Sequence, residues 1–126
     1  MIGRSDFGRL QKRSMLKGWK PGADPVVYCV FDILVSDGRD VMSTPLQVRK
    51  EALARTLKRQ LPSVMLVGHL DREGDWLYQC ALDLQLEGIV GKRLDSVYTP
   101  GLRSKDWLKI KRPGAVPPER FKYGGR

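Results

Sequence analysis

Apolar residues fill the segment from 26 to 35 almost without interruption, and most of them are β-branched or aromatic. Such a run predicts a central strand that is buried on both faces. Asp32 interrupts it, and a buried carboxylate is unfavourable unless it has a partner. We therefore predict that Asp32 has an architectural role and pairs with a basic side chain or a backbone N–H. A second apolar run, at 63–70, also predicts a strand.

Three other segments repeat their apolar residues with helical spacing, namely 6–16, 43–61 and 75–86. In the second of these, Thr44 is placed to cap the helix, Pro45 fits the first helical position, and Pro62 ends the helix. An apolar stripe runs along it, and the basic residues cover the rest. We interpret that basic surface as solvated rather than as a DNA-reading face; it comprises Arg49, Lys50, Arg55, Lys58 and Arg59.

Two short strands are predicted near the end of the chain, EGIVGKRL at 87–94 and WLKIK at 107–111. The loop between them is short enough for a hairpin or a wide turn. Alternation in WLKIK places Trp107, Lys109 and Lys111 on one face of the strand. The complete order is helix, strand, helix, strand, helix, strand, strand. This order predicts an α+β fold with a mostly antiparallel sheet and packed helices.

Length and composition limit the possible classes of protein. The 126 residues predict one domain, at 1–112, followed by a basic Pro/Gly-rich tail at 113–126. No apolar run approaches membrane-spanning length and no apolar signal segment is present, so we expect a cytoplasmic protein. Cys29 and Cys80 are predicted to be reduced core thiols, and with His69 as the only histidine no zinc site is expected.

The chain is strongly basic, with a formal net charge of +9 and a pI near 9.9. The positive charge is concentrated at the two ends: residues 92–126 contain ten Lys or Arg against three acids. This balance favours a polyanionic partner, which could be nucleic acid, a nucleotide phosphate or an anionic membrane surface.

Lysines that point inward from a strand require an anion to offset their desolvation, and a phosphate is the obvious candidate for Lys109 and Lys111. Glu87, at a helix-to-strand turn, could bind a divalent metal that accompanies a phosphate. Tyr28 and Phe31 could offer a flat face to a base. The alternative is an amphipathic strand whose lysines face solvent, and the spacing alone does not decide between the two.

Three motifs resemble those of the adenylation (nucleotidyltransferase) domain of ATP-dependent DNA ligases, a DNA repair and recombination family. They are VYCVFDILVSDG, LEGIVGKR and WLKIK, and the flanking DFGRLQ, TPLQVRKEAL and SVYTPGLRSKDW match as well. The similarity is greatest to the bacterial type associated with end joining and covers residue 6 to about residue 113. It implies a partial nucleotidyltransferase (ATP-grasp-like) fold. It also implies ATP with Mg²⁺ as cofactors, and DNA and ATP or AMP as partners.

The resemblance also implies roles for individual residues. Phe31 would stack on adenine, and Ile89 would pack on the other face of the purine. Glu87 would help to place the metal ion. The lysines would approach the nucleotide, with Lys92 near it and Lys109 and Lys111 on the α-phosphate. Arg103 would hold either its loop or a phosphate.

The chain departs from the family pattern in one chemical respect. Its sequence has no K-x-D-G motif, whose lysine attacks the α-phosphate of ATP, and no following D-G-E. We therefore expect the C-terminal half of an adenylation domain, without the oligonucleotide-binding domain and inactive as an isolated chain. A complementary ligase fragment or self-association could supply the missing strand partners. The alternatives are a non-catalytic basic nucleic-acid-binding module, which salt dependence would reveal, and a remnant with no ligand.

Overall fold

The computed structural model describes residues 6–115. These described residues form three helices and six strands, in the order α1 (Phe7–Ser14), β1 (Tyr28–Val30), β2 (Val35–Ser36), β3 (Arg39–Asp40), α2 (Leu46–Thr56), β4 (Val64–Leu66), α3 (Gly74–Asp83), β5 (Gly88–Lys92) and β6 (Trp107–Lys111). The predicted α+β class is confirmed. The predicted tail at 113–126 lies outside the described residues, apart from its first three positions.

The strands form three two-stranded sheets. β5 pairs with β6 and β2 with β3, and both pairs are antiparallel, as predicted. The β2–β3 hairpin turns through Asp37 and Gly38, which both have positive φ, as a tight hairpin turn requires. β1 and β4 are parallel. Parallel neighbours require a crossover connection, and the segment between these two strands contains α2.

The start of α2 corrects a prediction about capping. Pro45 occupies the N-cap position, and the Thr44 hydroxyl donates to the Val41 carbonyl rather than accepting from the helix. The first two helical N–H groups instead donate to carbonyls of the segment after β5, from Leu46 to Ser96 at 2.8 Å and from Gln47 to Leu94 at 3.0 Å. A tertiary contact therefore caps the helix. The helix ends at Thr56, six residues before the predicted stop at Pro62.

The core of the described region is small. Its buried apolar residues come from two helices: Leu46, Ala52 and Leu53 in α2, and Ala81 in α3. The prediction of a strand buried on both faces at 26–35 is wrong, since β1 has three residues and Tyr28 is 68% exposed. The reason is that β4 is the only strand paired with β1 among residues 6–115, so both strands are edges of a two-stranded sheet and not the centre of a larger one.

The two cysteines are free thiols, as predicted, but Cys29 is exposed rather than in the core and Cys80 is half-buried. Among residues 6–115, no helix combines the length and the apolar character that crossing a membrane requires.

Candidate functional site

The β5–β6 ribbon places several predicted site residues on one face. Lys92 is directly opposite Trp107, Val90 opposite Lys109, and Gly88 opposite Lys111. Residues directly opposite in an antiparallel pair point to the same side. We call this side the lysine face; it carries Val90, Lys92, Trp107, Lys109 and Lys111. It is about 13 Å long, since β6 takes four steps from Trp107 to Lys111 and each step advances about 3.3 Å.

Gly88 explains how one end of the lysine face is built. Its φ of +152° is open to glycine, and a Cβ at this position would overlap the Ile110 carbonyl and lie 2.8 Å from Lys111 Cα. Only glycine therefore lets the two strands approach so closely. The backbone N–H of Arg112 donates to the Glu87 carbonyl at 2.8 Å, and Lys111 Nζ lies 3.9 Å from Glu87 Oε1. Glu87 thus lies beside the lysine face with its carboxylate exposed.

At the other end of the lysine face, the half-buried Lys92 contacts two aromatic rings. Its Nζ lies 3.9 Å from the centroid of the Trp107 ring and 4.3 Å from that of Phe31. The two rings meet edge to face, with their centroids 6.4 Å apart, and Tyr98 contacts Trp107 in the same way at 6.1 Å. An ammonium above aromatic faces is attracted by their negative electrostatic potential. Phe31 and Lys92, which are remote in sequence, are therefore brought together.

Burial lowers the pKa of Lys92 from its ordinary value of 10.5, because removal from water disfavours the charged ammonium. The nearby Asp32 carboxylate opposes this effect, while Lys50 and Arg49 reinforce it. The stabilisation of the Lys92 cation therefore depends on the two aromatic rings and on the nearby Asp32 carboxylate.

Beside these rings lies a cleft of about 240 Å³, lined by Tyr28, Cys29, Val30, Phe31, Asp32, Leu34, Tyr98 and Trp107. Aromatic walls of this kind suit a flat ligand, and two tyrosines supply hydroxyl groups as well.

The remaining predicted residues lie in different places. Lys109 is exposed on the lysine face, and within residues 6–115 no side-chain partner is found for it. Arg103 is exposed in the loop between β5 and β6, and its guanidinium likewise pairs with no described residue. Ile89 pairs with Ile110 on the opposite side of the ribbon, away from the lysines. Val90 is the apolar residue on the lysine face, a choice that strict alternation along β5 could have indicated.

Arg49 and Asp32 form a buried ion pair that places α2 against the end of β1. The Arg49 side chain is 0% exposed and the Asp32 side chain 7%. The predicted pairing of Asp32 is confirmed, but the solvated surface predicted for α2 is wrong at Arg49. Its position, three residues after Leu46 and four before Leu53, lies on the buried stripe and could have revealed it.

Comparison with known proteins decides the family. Residues 4–111 match the family model described as the ATP dependent DNA ligase domain. The chain belongs to the ATP-dependent DNA ligase family. The resemblance recognised from the three motifs is confirmed at this level.

Among the ligase-family relatives, the SPbeta prophage-derived DNA ligase-like protein LigB of Bacillus subtilis is 35% identical over 108 residues, 86% of this chain and 38% of that protein. The DNA ligase of Methanoculleus marisnigri is 42% identical over 90 residues, 71% of this chain and 16% of that enzyme. The DNA ligase of Thermococcus fumicolans is 40% identical over 90 residues, 69% of this chain. The chain therefore spans a minor part of each relative's length.

Membership of the ATP-dependent ligase family implies the use of Mg²⁺, and the described residues supply only part of a binding site for this ion. No group of three or more His, Cys, Asp or Glu side chains in this part of the chain could hold a metal ion. Glu87 offers one exposed carboxylate beside the lysine face. Mg²⁺ is often held by one or two carboxylates together with substrate phosphates, so Glu87 fits the role of a single protein ligand to a nucleotide-bound ion.

A larger cavity, of about 430 Å³, lies between the β2–β3 hairpin and α2 of this ligase-family chain. It is lined by Ser36, Asp37, Arg39, Val41, Thr44, Val48, Arg49, Ala52 and Arg55. None of the predicted nucleotide-binding residues lines it. Volume alone therefore does not single out the face on which Phe31, Lys92 and the other lysines lie together.

We expect Lys92 to lose its proton at a lower pH in the folded ligase-family chain than in the unfolded chain. Between the two pKa values the unfolded chain holds more protons, so the contribution of Lys92 to the free energy of unfolding rises with pH through that window. NMR titration of the Lys92 ε-methylene group, assigned with Lys92→Met and repeated in urea, measures both values. Equal midpoints, or a higher midpoint in the folded chain, would contradict the expectation.

Proposed function

We propose that this chain is the C-terminal half of a DNA ligase adenylation domain and retains a binding site for ATP or AMP on the lysine face. The observation that supports the proposal is the arrangement of that face. An aromatic group that includes Phe31 lies at one end, Lys109 and Lys111 follow along β6, and Glu87 lies at the other end. In that order, these residues would contact the base, the phosphate and the metal ion of a bound nucleotide.

The residues have complementary roles in this proposal. Phe31 stacks on adenine, and Val90, on the same side of the ribbon, is better placed than Ile89 to contact the nucleotide. Lys109 and Lys111 neutralise the α-phosphate, and Arg103 can reach a phosphate from its loop. Lys92 contributes its ammonium to the nucleotide. Glu87 would help to hold Mg²⁺, which would supply charge neutralisation to the phosphates.

Catalysis requires a group that this chain does not carry in the ligase pattern. In the family reaction a lysine nitrogen attacks the α-phosphorus of ATP, forms a phosphorus–nitrogen bond and releases pyrophosphate. The sequence has no K-x-D-G motif to supply that lysine. Charge stabilisation by Lys109 and Lys111 cannot replace a nucleophile. We therefore propose that the chain by itself does not form lysyl-AMP and does not seal nicks.

Nucleotide titration tests the binding site. Addition of ATP or AMP is expected to shift NMR signals near Phe31, Glu87 and β6. Lys109→Met with Lys111→Met should weaken AMP binding by at least about tenfold, because charge-assisted hydrogen bonds to phosphate are lost. Lys105→Met, an exposed lysine in the preceding loop, is the matched control and should leave the affinity nearly unchanged.

The same preparation, incubated with α-labelled ATP and Mg²⁺, should acquire no covalent label. A labelled band would disprove the absence of self-adenylation. Equal loss of affinity in the control and in the double variant would show that only general charge attracts the nucleotide.

The β1–β4 pair supports a partner beyond the described residues. Two-stranded parallel sheets are normally covered on both faces, whereas Tyr28, Met65 and Leu66 are all exposed here. We propose that a complementary ligase segment covers them, and that the chain self-associates when that segment is missing. Sedimentation velocity at rising concentration should show dimers or larger species. A monomer throughout the micromolar range would contradict self-association.

We propose DNA as the macromolecular partner. We also propose that the chain belongs to the bacterial end-joining type of ligase, because TPGLRSKDWLKIK resembles the corresponding segment of that type. The alternative of a basic nucleic-acid-binding module is supported by the net charge of +9. It predicts DNA binding that falls steeply with salt even when no nucleotide site exists. DNA affinity in a chain that fails to bind ATP or AMP would therefore favour the module.

A further inference from the structure

Phe31 lies just outside the regular structure of β1. The strand ends at Val30, so Phe31 takes part in none of the described strand pairings. Its ring is nevertheless oriented edge to face with Trp107 and lies 4.3 Å from the ammonium of Lys92. Contacts other than strand pairing must therefore hold the backbone at this position.

The next residue, Asp32, is held by a buried guanidinium. Arg49 Nε and Nη2 donate to the two Asp32 carboxylate oxygens at 2.9 and 3.1 Å. The remaining nitrogen, Nη1, donates to the carbonyls of Thr44 at 2.6 Å and Ser96 at 3.1 Å. A planar guanidinium that uses all three nitrogens fixes both distance and direction. Arg49 thereby ties Asp32 to the start of α2 and to the segment that follows β5.

Phe31 itself is held by the adjacent residue of the same helix. Lys50 Nζ donates to the Phe31 carbonyl oxygen at 3.3 Å. Two consecutive residues of α2 therefore bind two consecutive residues at the end of β1. Because both pairs originate in one helix, any rotation or shift of that helix moves the backbone that carries the Phe31 ring.

We propose that Arg49 and Lys50 are positioning residues for the base-stacking site. They set the orientation of the Phe31 ring towards Trp107 and Lys92 without touching the ligand, so they determine how strongly a purine base is held. They have no direct effect on phosphate binding by Lys109 and Lys111. This inference rests on the proposed nucleotide site.

The test uses two substitutions and a matched control for each. Arg49→Lys keeps the charge but loses the two-pronged contact, and Lys50→Met removes the donor to Phe31. Arg55→Lys and Lys58→Met repeat the same changes at exposed positions in and just after α2. Two properties are measured for each variant. One is the NMR shift of the Lys92 ε-protons, which the rings above it displace upfield. The other is the affinity for AMP and for tripolyphosphate, which has no base.

Arg49→Lys should move the Lys92 ε-protons towards their unfolded position and weaken AMP binding by up to about tenfold, the scale of one aromatic contact. Lys50→Met should act in the same direction and less strongly. The affinity for tripolyphosphate should stay within about twofold of the wild-type affinity, because Lys109 and Lys111 are unchanged in both variants. Both controls should match the wild type in every readout. If Arg49 and Lys50 had a purely structural role, their replacement would instead weaken the binding of AMP and of tripolyphosphate to the same extent.

Several outcomes overturn the inference. Unchanged Lys92 shifts and unchanged AMP affinity in both variants would do so, as would equal losses for AMP and tripolyphosphate. If Arg49→Lys fails to fold, Lys50→Met decides the question by the same criteria. If the wild type binds no AMP, the proposed function fails, and the Lys92 shifts alone then judge whether α2 positions the Phe31 ring.

Discussion

Replacement of Arg49 by methionine is expected to lower the free energy of unfolding by about 3–5 kcal/mol, because it leaves the Asp32 carboxylate buried without its partner. The carbonyls of Thr44 and Ser96 also lose a donor. The described core is small, so a loss of this size can unfold the chain at room temperature. Urea denaturation followed by far-UV circular dichroism measures the change.

Arg55→Met is the control, since Arg55 belongs to the same helix and is exposed. It should alter the free energy of unfolding by no more than about 0.5 kcal/mol. Adding Asp32→Leu to Arg49→Met should recover much of the loss, because the pair is then replaced by apolar groups rather than broken. A loss of less than about 1 kcal/mol for Arg49→Met, against the 3–5 expected, would show that water reaches Asp32.

Gly88→Ala is expected to destabilise the chain by about 2–3 kcal/mol or more and to separate β5 from β6. The new methyl group would overlap the Ile110 carbonyl, and the backbone would be strained at a φ of +152°. Both colliding atoms belong to the opposite backbone, so no side-chain rotation relieves the contact. The same displacement would part Glu87 from Lys111, and nucleotide affinity should fall with it.

Gly91→Ala provides a matched control on the same strand. A Cβ at that position would lie 3.9 Å from the Leu108 carbonyl oxygen, which is an ordinary contact, and its φ is not in the glycine-only region. We expect a change in the free energy of unfolding of less than about 1 kcal/mol. Similar losses for Gly88→Ala and Gly91→Ala would contradict the close strand approach. Amide NMR spectra would show whether the β5–β6 signals alone are affected.

The helices and the β5–β6 ribbon could be predicted because their signals are local. In α3 the spacing of Leu77, Cys80, Ala81 and Leu84 matches the helical repeat, and the observed helix, Gly74–Asp83, follows it. The alternation in WLKIK likewise gave the correct face for Trp107, Lys109 and Lys111, as the strand register confirms. Such periodicities arise from backbone geometry, which each segment carries by itself.

Burial and the side that a residue faces were predicted less well than the element types, and three residues illustrate the reasons. Arg49 was grouped with the exposed bases of α2, yet it is the most deeply buried charge in the described region. The apolar run predicts a buried strand at Tyr28, yet Tyr28 is exposed on a sheet that has only two strands among residues 6–115. The family resemblance implies that Ile89 contacts the nucleotide, and the strand register places Ile89 on the side of the ribbon opposite the lysines. The environment of Tyr28 depends on segments far away in the chain, whereas helical spacing around Arg49 and alternation along β5 carried local signals for the other two residues.

The sequence by itself determined the element types, the family and the set of charged residues available for phosphate, because periodicity and motif order are properties of the chain alone. Only the tertiary structure decided that Lys92 lies above Phe31 and Trp107, that Asp32 is neutralised by Arg49, and that Glu87 faces Lys111. Those pairings depend on strand register and on the docking of α2. Both are set by the sum of many weak contacts between segments far apart in the chain.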